Sequence, residues 1–300
     1  MLSQLNFRFL GYAFSILISF GVAQSVAAKP QVLSHMSDLE STLEKKLKTV
    51  TPEDVLIAFD IDMTLTQPDH PAAFYPNIKK HAKQYRSITA QLTPAQKDCV
   101  ATLSTQVVPQ RLVDEKTPEI ISGLQQKGYK TIALTASLTG KFLDFPTKVI
   151  FLRRDQLFNR GFDFSKALKQ YTRVLPMIDL PKHANYYPIF YQGILASNGE
   201  KKVSKGKVLA RLLKNIGKNY ELKARRPGFY PKVVVMVDDK AQHLDNIEKA
   251  LAIYDPNIQF IGLQYTGAYR YAPKKISQPD FIAFWQGLAD KSRQAFPKTL

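Results

Sequence analysis

Cysteine is almost absent from this chain of 300 residues, in which Cys99 is the only one. A single cysteine excludes an intramolecular disulfide bond, so the fold must be held together by its hydrophobic core. Free cysteines are among the side chains most often buried, which predicts a buried thiol here. Internal repeats are also absent, and the length predicts one substantial core with room for inserted segments.

Histidine pairs with metal-ligand spacing are missing as well. We expect the histidines to lie on the surface or to pack against helices; they are His35, His70, His81, His183 and His243. His70 closely follows a candidate active-site loop, so contact with a substrate stays open for it. His243 is expected on a helix that follows an acidic pair.

Acidic residues are few, with 25 Asp and Glu against 42 Lys and Arg, and the formal net charge is +17. Basic clusters with nearby aromatic residues occur at 223–232 and 269–275. Such a surface attracts anionic partners in a salt-dependent way, although solvated basic loops that favour solubility are the simpler interpretation. No nucleic-acid-binding motif accompanies the charge, so nucleic acid is not the expected partner.

The first 28 residues resemble a targeting segment. Arg8 is their only charge, and residues 10–22 are mostly apolar. This pattern predicts a secretory signal peptide over 1–28, cleaved near Ala28, and a protein that is exported to the periplasm or secreted. The alternative is an uncleaved anchor, but the apolar core is shorter than the ~20 residues that span a bilayer, so no stable membrane span is expected.

Two carboxylates one residue apart, Asp60 and Asp62, directly follow the apolar run 55–59. This run predicts a strand buried on both faces, which places Asp60 at its carboxyl end, where open α/β sheets bind ligands. An EF-hand loop would need Gly and Glu where Leu65 and Pro71 stand, so it is excluded. A solvated surface turn remains the simpler alternative for this motif alone.

Three further motifs follow in order. A short apolar strand over 130–134 ends at a hydroxyl-bearing segment, and the run 233–237 is the most strand-like of the chain and ends at an acidic pair. Between them a helix begins with a serine cap and a lysine and ends at a glycine. The residues concerned are Thr135 and Ser137, Ser204 and Lys205, and Asp238 and Asp239.

This order of acid pair, hydroxyl, lysine and acid pair resembles the haloacid dehalogenase (HAD) superfamily of phosphotransferases. Its motifs are Asp-x-Asp-x-Thr, a strand-terminal Ser or Thr, a Lys near a helix start, and a strand-terminal acidic pair, and here they span Asp60 to Asp239. The signal sequence and the Lys-Gly helix start are most similar to poorly characterised secreted bacterial members. The resemblance implies an α/β fold with a three-layer, Rossmann-like parallel sheet and inserted cap elements.

The resemblance also implies roles for the motif residues. Asp60 would be the nucleophile that forms an aspartyl phosphate, and Asp62 would protonate the leaving oxygen and then help to deprotonate water. Lys205 would neutralise the nucleophile and the phosphoryl group. The predicted catalytic residues are Asp60, Asp62, Thr135 and Lys205, and the predicted substrate-binding residues are Thr64, Thr135, Ser137 and Lys205. Asp at position 62 favours a phosphatase or phosphotransferase over carbon–halogen cleavage.

Magnesium is the cofactor that fits this set best, because a small cation that prefers oxygen can hold carboxylates, waters and phosphate together. The predicted metal-binding residues are Asp60, Asp62 through its backbone carbonyl, Asp238 and Asp239. Successive strand residues point to opposite sides of a sheet, so only one of the last two is expected to reach the metal. Asp238 is the favoured ligand, with Asp239 nearby.

The motifs divide the chain into a core and two insertions. The α/β core is predicted over 29–67, 109–137 and 203–300, including a helix beyond Pro279. Residues 68–108 would form a helical cap, with helices over 77–85 and 94–103. A second, aromatic-rich insertion over 138–202, with a strand at 189–195, forms either a wall of the substrate pocket or added core.

Three classes of function follow from the sequence. The first is a magnesium-dependent phosphomonoester hydrolase of the acid phosphatase type, acting on phosphorylated small molecules or macromolecules. The second is a catalytically silent secreted interaction protein that keeps the fold, although its motif residues are intact. The third is a cationic binder of the cell envelope or of nucleic acid.

Overall fold

The structure, a computed structural model, describes residues 30–106, 108–141, 148–199, 202–217 and 228–297. The predicted signal peptide at 1–28 and half of the basic cluster at 223–232 lie outside the described residues. Within the described ranges, no helix is both long enough and apolar enough to cross a membrane.

The described residues form one large, mostly parallel sheet and one small sheet of two antiparallel strands. The strands are β1 (Gln31–Leu33), β2 (Val55–Phe59), β3 (Thr66–Pro68), β4 (Gln110–Leu112), β5 (Lys130–Thr135), β6 (Leu175–Pro176), β7 (Ile189–Tyr191), β8 (Ile194–Ala196), β9 (Val233–Asp238) and β10 (Gln259–Tyr265). The order in the large sheet is β1-β10-β9-β2-β5-β8-β7-β6, and β3 and β4 form the small sheet. Six neighbouring strands run parallel to one another: β1, β10, β9, β2, β5 and β8. Strand β7 runs antiparallel to its two neighbours, β8 and β6.

Helices connect these strands and cover the sheet. They are α1 (Leu39–Lys46), α2 (Tyr75–Lys80), α3 (Ala82–Ala90), α4 (Pro94–Gln106), α5 (Thr117–Gln126), α6 (Val149–Phe158), α7 (Lys205–Ile216), α8 (Ala241–Tyr254), α9 (Gly267–Arg270) and α10 (Gln278–Ala295). Alternate side chains of β2 enter two separate cores. Ile57 and Phe59 pack on the side of α1, α5 and α6, while Leu56 and Ala58 pack on the side of α7 and α8. The predicted three-layer α/β fold is confirmed.

The strand register brings the motif residues to one edge of the sheet. Phe59, the last residue of β2, pairs with Val237 in β9 on one side and with Ala133 in β5 on the other. Because the three strands are parallel and in register there, the residues that follow lie side by side at their carboxyl ends. Asp60 and Asp238 therefore become neighbours.

The helices of the first insertion belong to a helical cluster that is formed by α3, α4 and α10. Cys99 is fully buried in it, which confirms the predicted buried thiol, and burial raises the pKa of this thiol to about 11. The predicted helix over 77–85 is divided into α2 and α3 at His81. The predicted helix over 94–103 corresponds to α4.

Helix α10 packs elsewhere than predicted. The sequence predicts it as part of the α/β core, but Phe281, Trp285 and Leu288 are buried against the first insertion. The indole of Trp285 donates a hydrogen bond to the carbonyl of Ala72 (3.1 Å). The physical reason is that the insertion's helices have too little apolar surface to form a core alone, and the amphipathic tail helix supplies the missing face.

The second insertion also differs from the prediction, because part of it extends the sheet. The predicted single strand over 189–195 is wrong: β7 and β8 form a hairpin around Gln192 and Gly193, whose φ angles are 47° and 81°. Two central residues with positive φ are typical of a type I′ turn, which matches the twist of the strands it joins. A methyl group on Gly193 would lie 2.2 Å from the carbonyl oxygen of Phe164.

Helices α7 and α8 touch at Gly206, next to Lys205. A methyl group there would lie 2.5 Å from the carbonyl oxygen of Asn246 and 2.9 Å from the Cα of Ile247. We therefore expect Gly206→Ala to lower the free energy of unfolding by about 1–3 kcal/mol through overpacking, measured by urea denaturation. Gly123→Ala in α5 is the matched control, because its methyl group would meet nothing within 4 Å.

The control should raise stability by about 0.5–1 kcal/mol, since alanine is the better helix former. If Gly206→Ala stabilised the protein as much as Gly123→Ala does, the close approach of α7 and α8 would be contradicted.

Candidate active site

A buried lysine joins the first and last motifs. Lys205 Nζ lies 2.7 Å from Asp60 Oδ1 and 2.8 Å from Asp238 Oδ2, and all three side chains are nearly inaccessible to solvent. Lys205 is the first residue of α7, whose N-terminus is capped by the Ser204 hydroxyl, which accepts a hydrogen bond from the amide of Lys207 (3.3 Å). The predicted serine cap thus places the lysine at the carboxyl edge of the sheet.

Asp238 is held by several cationic and amide groups. Besides Lys205, its oxygens lie 3.0 Å from His243 Nδ1, and Oδ1 accepts a hydrogen bond from the amide of Lys240 (2.9 Å). Burial alone would raise the pKa of Asp238, but Lys205 and His243 lower it to about 2. This carboxylate is therefore ionised in the folded protein at any ordinary pH.

His243 is a site residue that the sequence analysis did not identify. It lies on the first turn of α8, where its ring is buried and its Nδ1 is 3.2 Å from Lys205 Nζ. The sequence held one indication that His243 lies at the site. It follows Asp238 by five residues and lies on the same helix face as the apolar residues Leu244 and Ile247. Asp60, Asp238 and His243 each offer one ligand atom within 4.8 Å of the others, with the lysine ammonium among them.

The nucleophile candidate lies in a strongly negative, dry environment. Asp60 Oδ1 accepts a hydrogen bond from the amide of Ile61 (2.8 Å). Burial raises the pKa of Asp60, the carboxylates of Asp238 and Asp239 raise it further, and Lys205 opposes the rise. Three carboxylates thus surround one ammonium, an imbalance that a cation would relieve.

Asp239 has the burial and charge of a metal ligand. Its side chain is 3% exposed, and among the described residues neither carboxylate oxygen has a hydrogen-bond partner. Burial and the carboxylate of Asp238 raise the pKa of Asp239 to about 6. Buried carboxylate oxygens without donors are costly, so these atoms, together with the excess negative charge, fit a divalent cation.

Asp62 lies on a tight loop after Asp60 and is the most open acid of the site, with its side chain 54% exposed. The loop turns at Met63, which has a φ of 68°, and is closed by a hydrogen bond from the amide of Met63 to the carbonyl of Thr66 (2.7 Å). A non-glycine residue in this region carries strain of about 1–2 kcal/mol. The turn directs Asp62 away from the sheet while Asp60 stays buried in it.

Arg153 was also missed by the sequence analysis. It lies on α6 in the second insertion, is only 1% exposed, and its Nη2 forms a short ion pair with Asp62 Oδ1. The only sequence signal was a charged residue on the otherwise apolar, buried face of α6, four residues before Leu157.

The predicted hydroxyl residues occupy different environments. Thr135 is buried at the end of β5, with its Oγ1 3.1 Å from Ser137 Oγ and accepting a hydrogen bond from the Ser137 amide (3.1 Å). Thr64 is fully buried, and within the described part of the chain its hydroxyl has no partner. Contact of Thr135, Ser137 or Thr64 with a substrate stays a prediction.

A cavity of about 330 Å³ opens beside Asp62, at the junction of the core with both insertions. Its polar lining includes Asp62, Asp98, Thr102, Ser137, His183 and Lys202. His183 Nε2 lies 2.9 Å from Asp98 Oδ2, so a side-chain hydrogen bond joins the second insertion to α4 at the cavity wall. His70, in contrast, stacks on Phe284 at 4.4 Å and packs the helical cluster.

Comparisons with known proteins place this chain among uncharacterised bacterial relatives. An uncharacterized protein of Rickettsia bellii is 25% identical over 269 residues, which cover 86% of this chain and 83% of that protein. Another, of Rickettsia felis, is 25% identical over 224 residues and covers 73% and 70%, respectively. Among solved structures, cytosolic 5'-nucleotidase IIIB bound to cytidine aligns over 86% of this chain and 92% of its own.

The alignment with the nucleotidase has a TM-score of 0.27 and 11% identity, so it defines no activity for this protein. The family model described as "Protein of unknown function (DUF2608)" matches residues 32–290, which include every predicted motif and nearly all of the described fold. The chain therefore belongs to the DUF2608 family.

Proposed function

We propose that this protein is a magnesium-dependent phosphomonoester hydrolase of the HAD type that works through an aspartyl phosphate on Asp60. The observation that carries the proposal is the convergence of Asp60, Lys205 and Asp238, which are distant in sequence, on one point at the carboxyl edge of the sheet. A buried carboxylate beside a buried ammonium is suited to attack a phosphorus atom whose surrounding oxygens need positive charge.

The chain's residues supply the nucleophile and transfer each proton of the reaction. Asp60 attacks phosphorus, and as the bond between phosphorus and the leaving oxygen breaks, Asp62 gives that oxygen a proton. Asp62 then takes a proton from the water that attacks the aspartyl phosphate, which releases phosphate and restores Asp60. Lys205 offsets negative charge on the phosphoryl group throughout.

The residues present fit a magnesium ion. We propose that Asp60 and Asp239 hold it with the backbone carbonyl of Asp62, while Asp238, favoured from the sequence, fixes Lys205 and His243. When bound, magnesium supplies positive charge that binds the phosphate oxygens and favours the ionised nucleophile. Unpaired oxygens on Asp239 support this choice, since the oxygens of Asp238 already have donors.

The cavity next to Asp62 supports a small leaving group. Its volume of about 330 Å³ suits a compact alcohol, and its polar walls from both insertions can hydrogen-bond hydroxyl groups. The second insertion thus acts as a wall of the substrate pocket in this proposal, and phosphorylated small molecules are the proposed substrates.

The proposal is tested with p-nitrophenyl phosphate, EDTA and magnesium. We expect turnover by the purified protein, its loss in EDTA and its recovery with Mg²⁺. Asp239→Asn should raise the Mg²⁺ concentration that gives half-maximal activity by about 10–100-fold, because the metal loses a carboxylate ligand. Mg²⁺ should also raise the thermal midpoint of the unaltered protein and not that of Asp239→Asn.

Asp290→Asn on α10 is the matched control, because this aspartate lies on the surface with its side chain 54% exposed. It should leave both the magnesium dependence and the thermal shift unchanged. Turnover that persists in EDTA would contradict the metal requirement, and an absence of turnover on a broad panel of phosphoesters would contradict the proposed function.

A further inference from the structure

Arg153 is a cation on the buried face of α6. Its side chain is 1% exposed, and its guanidinium contacts only two side chains through hydrogen bonds found in the described structure: Asp62, through Nη2, and Gln156, whose Oε1 lies 3.1 Å from Nη1. Its Nε is buried and has no partner among the described residues. Burying a cation in this way is costly unless its charge serves a specific partner.

The surroundings of Arg153 point to Asp62 as that partner. The rest of the buried face of α6 is apolar, with Val149, Ile150 and Leu157. Arg160 is the nearby residue whose pKa is lowered by burial and by the charge of Arg153. It donates its described hydrogen bonds to the backbone carbonyls of Gln110 and Gln156, so it offers Arg153 no compensating charge. Asp62 is the carboxylate that pairs with Arg153, although it lies 91 residues earlier in the chain.

We propose that Arg153 is a positioning residue for the acid–base carboxylate, and this inference rests on the proposed function. By holding Asp62 Oδ1, it leaves Oδ2 as the oxygen that carries the proton, and Asp62 lines the cavity. When that proton passes to the leaving oxygen, Arg153 compensates the negative charge that remains on Asp62. The second insertion thus contributes directly to the orientation of a residue on the nucleophile loop.

The leaving-group dependence of kcat/KM tests this role, because a good leaving group needs little protonation and a poor one depends on it. Aryl phosphates whose phenols differ in acidity, from p-nitrophenyl to phenyl phosphate, provide the series. We expect Arg153→Gln to lower kcat/KM for phenyl phosphate, which has the poor leaving group, by about 100-fold. The kcat/KM of the same variant for p-nitrophenyl phosphate should change little. Arg153→Lys, which keeps the charge, should recover part of the loss.

A double-mutant cycle with Asp62→Asn separates positioning from general support of the fold. If Arg153 acts through Asp62, Arg153→Gln should add no further loss in the Asp62→Asn background. Arg154→Gln is the matched control, because Arg154 pairs with the adjacent Asp155 and is partly exposed. It should leave the leaving-group dependence unchanged.

An equal loss for every leaving group in Arg153→Gln, or no loss at all, would overturn the inference while leaving the proposed function intact. If the glutamine variant does not fold, Arg153→Lys takes its place, and a leaving-group dependence equal to that of the unaltered protein overturns the inference. No turnover by the unaltered protein would overturn both proposals, so the two failures are distinguishable.

Discussion

Replacing Asp60 with Asn is expected to lower kcat for phosphomonoester hydrolysis by at least about 10⁴-fold, because an amide cannot form the acyl phosphate. The change is nearly isosteric, and Lys205 keeps its contact with Asp238. The free energy of unfolding should therefore fall little or rise, since one of three mutually repelling buried carboxylates is removed. Steady-state kinetics and urea denaturation of the same preparation give both quantities.

Asp69→Asn is the control for this substitution. Asp69 is an exposed carboxylate that follows the same loop and pairs with Arg111 on the surface. Activity within severalfold of the unaltered protein is expected for this control. An Asp60→Asn protein that keeps most of its turnover would exclude Asp60 as the nucleophile, whatever its metal content.

Replacing Lys205 with Met is expected to have the largest effect on stability. The substitution removes the ammonium and leaves Asp60 and Asp238 buried next to each other without it. Breaking a buried ion pair by removing one partner costs about 3–5 kcal/mol, because the remaining charge is uncompensated. Activity should also fall by at least about 10²–10³-fold with the loss of charge stabilisation.

Lys207→Met tests whether this cost is specific to the buried position, because Lys207 is exposed on the same turn of α7. Its expected effect on the free energy of unfolding is within about 0.5 kcal/mol, as for most surface substitutions. If urea denaturation showed that both substitutions lower the free energy of unfolding by similar amounts, the stabilising role of the buried Lys205 would be contradicted.

That the motif residues come together in space was predictable from the sequence. Each of them lies at the carboxyl end of a short apolar strand or at the start of a helix. Parallel buried strands present their carboxyl ends at one edge, so a residue's place at a strand end largely fixes its place in space. Asp60 and Asp238 meet for this reason although they are 178 positions apart in the sequence. The three-layer fold was an implication of the family resemblance that these motifs carry.

His243 and Arg153 were not predictable in the same way. Each lies on a helix, where position in space depends on how the helix packs and not on a strand end. Arg153 reaches the site only because the second insertion folds back over the nucleophile loop, a tertiary arrangement that local pattern does not contain. For similar reasons, the sequence did not reveal that α10 covers the first insertion or that a turn divides 189–195.

The most direct test of the account is to trap the covalent intermediate. The purified protein is mixed with a phosphomonoester and Mg²⁺, quenched in acid within milliseconds, digested and analysed by mass spectrometry. The account predicts one acid-stable phosphoryl group on the peptide that contains Asp60, and none on that peptide from the Asp60→Asn protein. Phosphate found on another side chain, or turnover without any phosphorylated peptide, would contradict it.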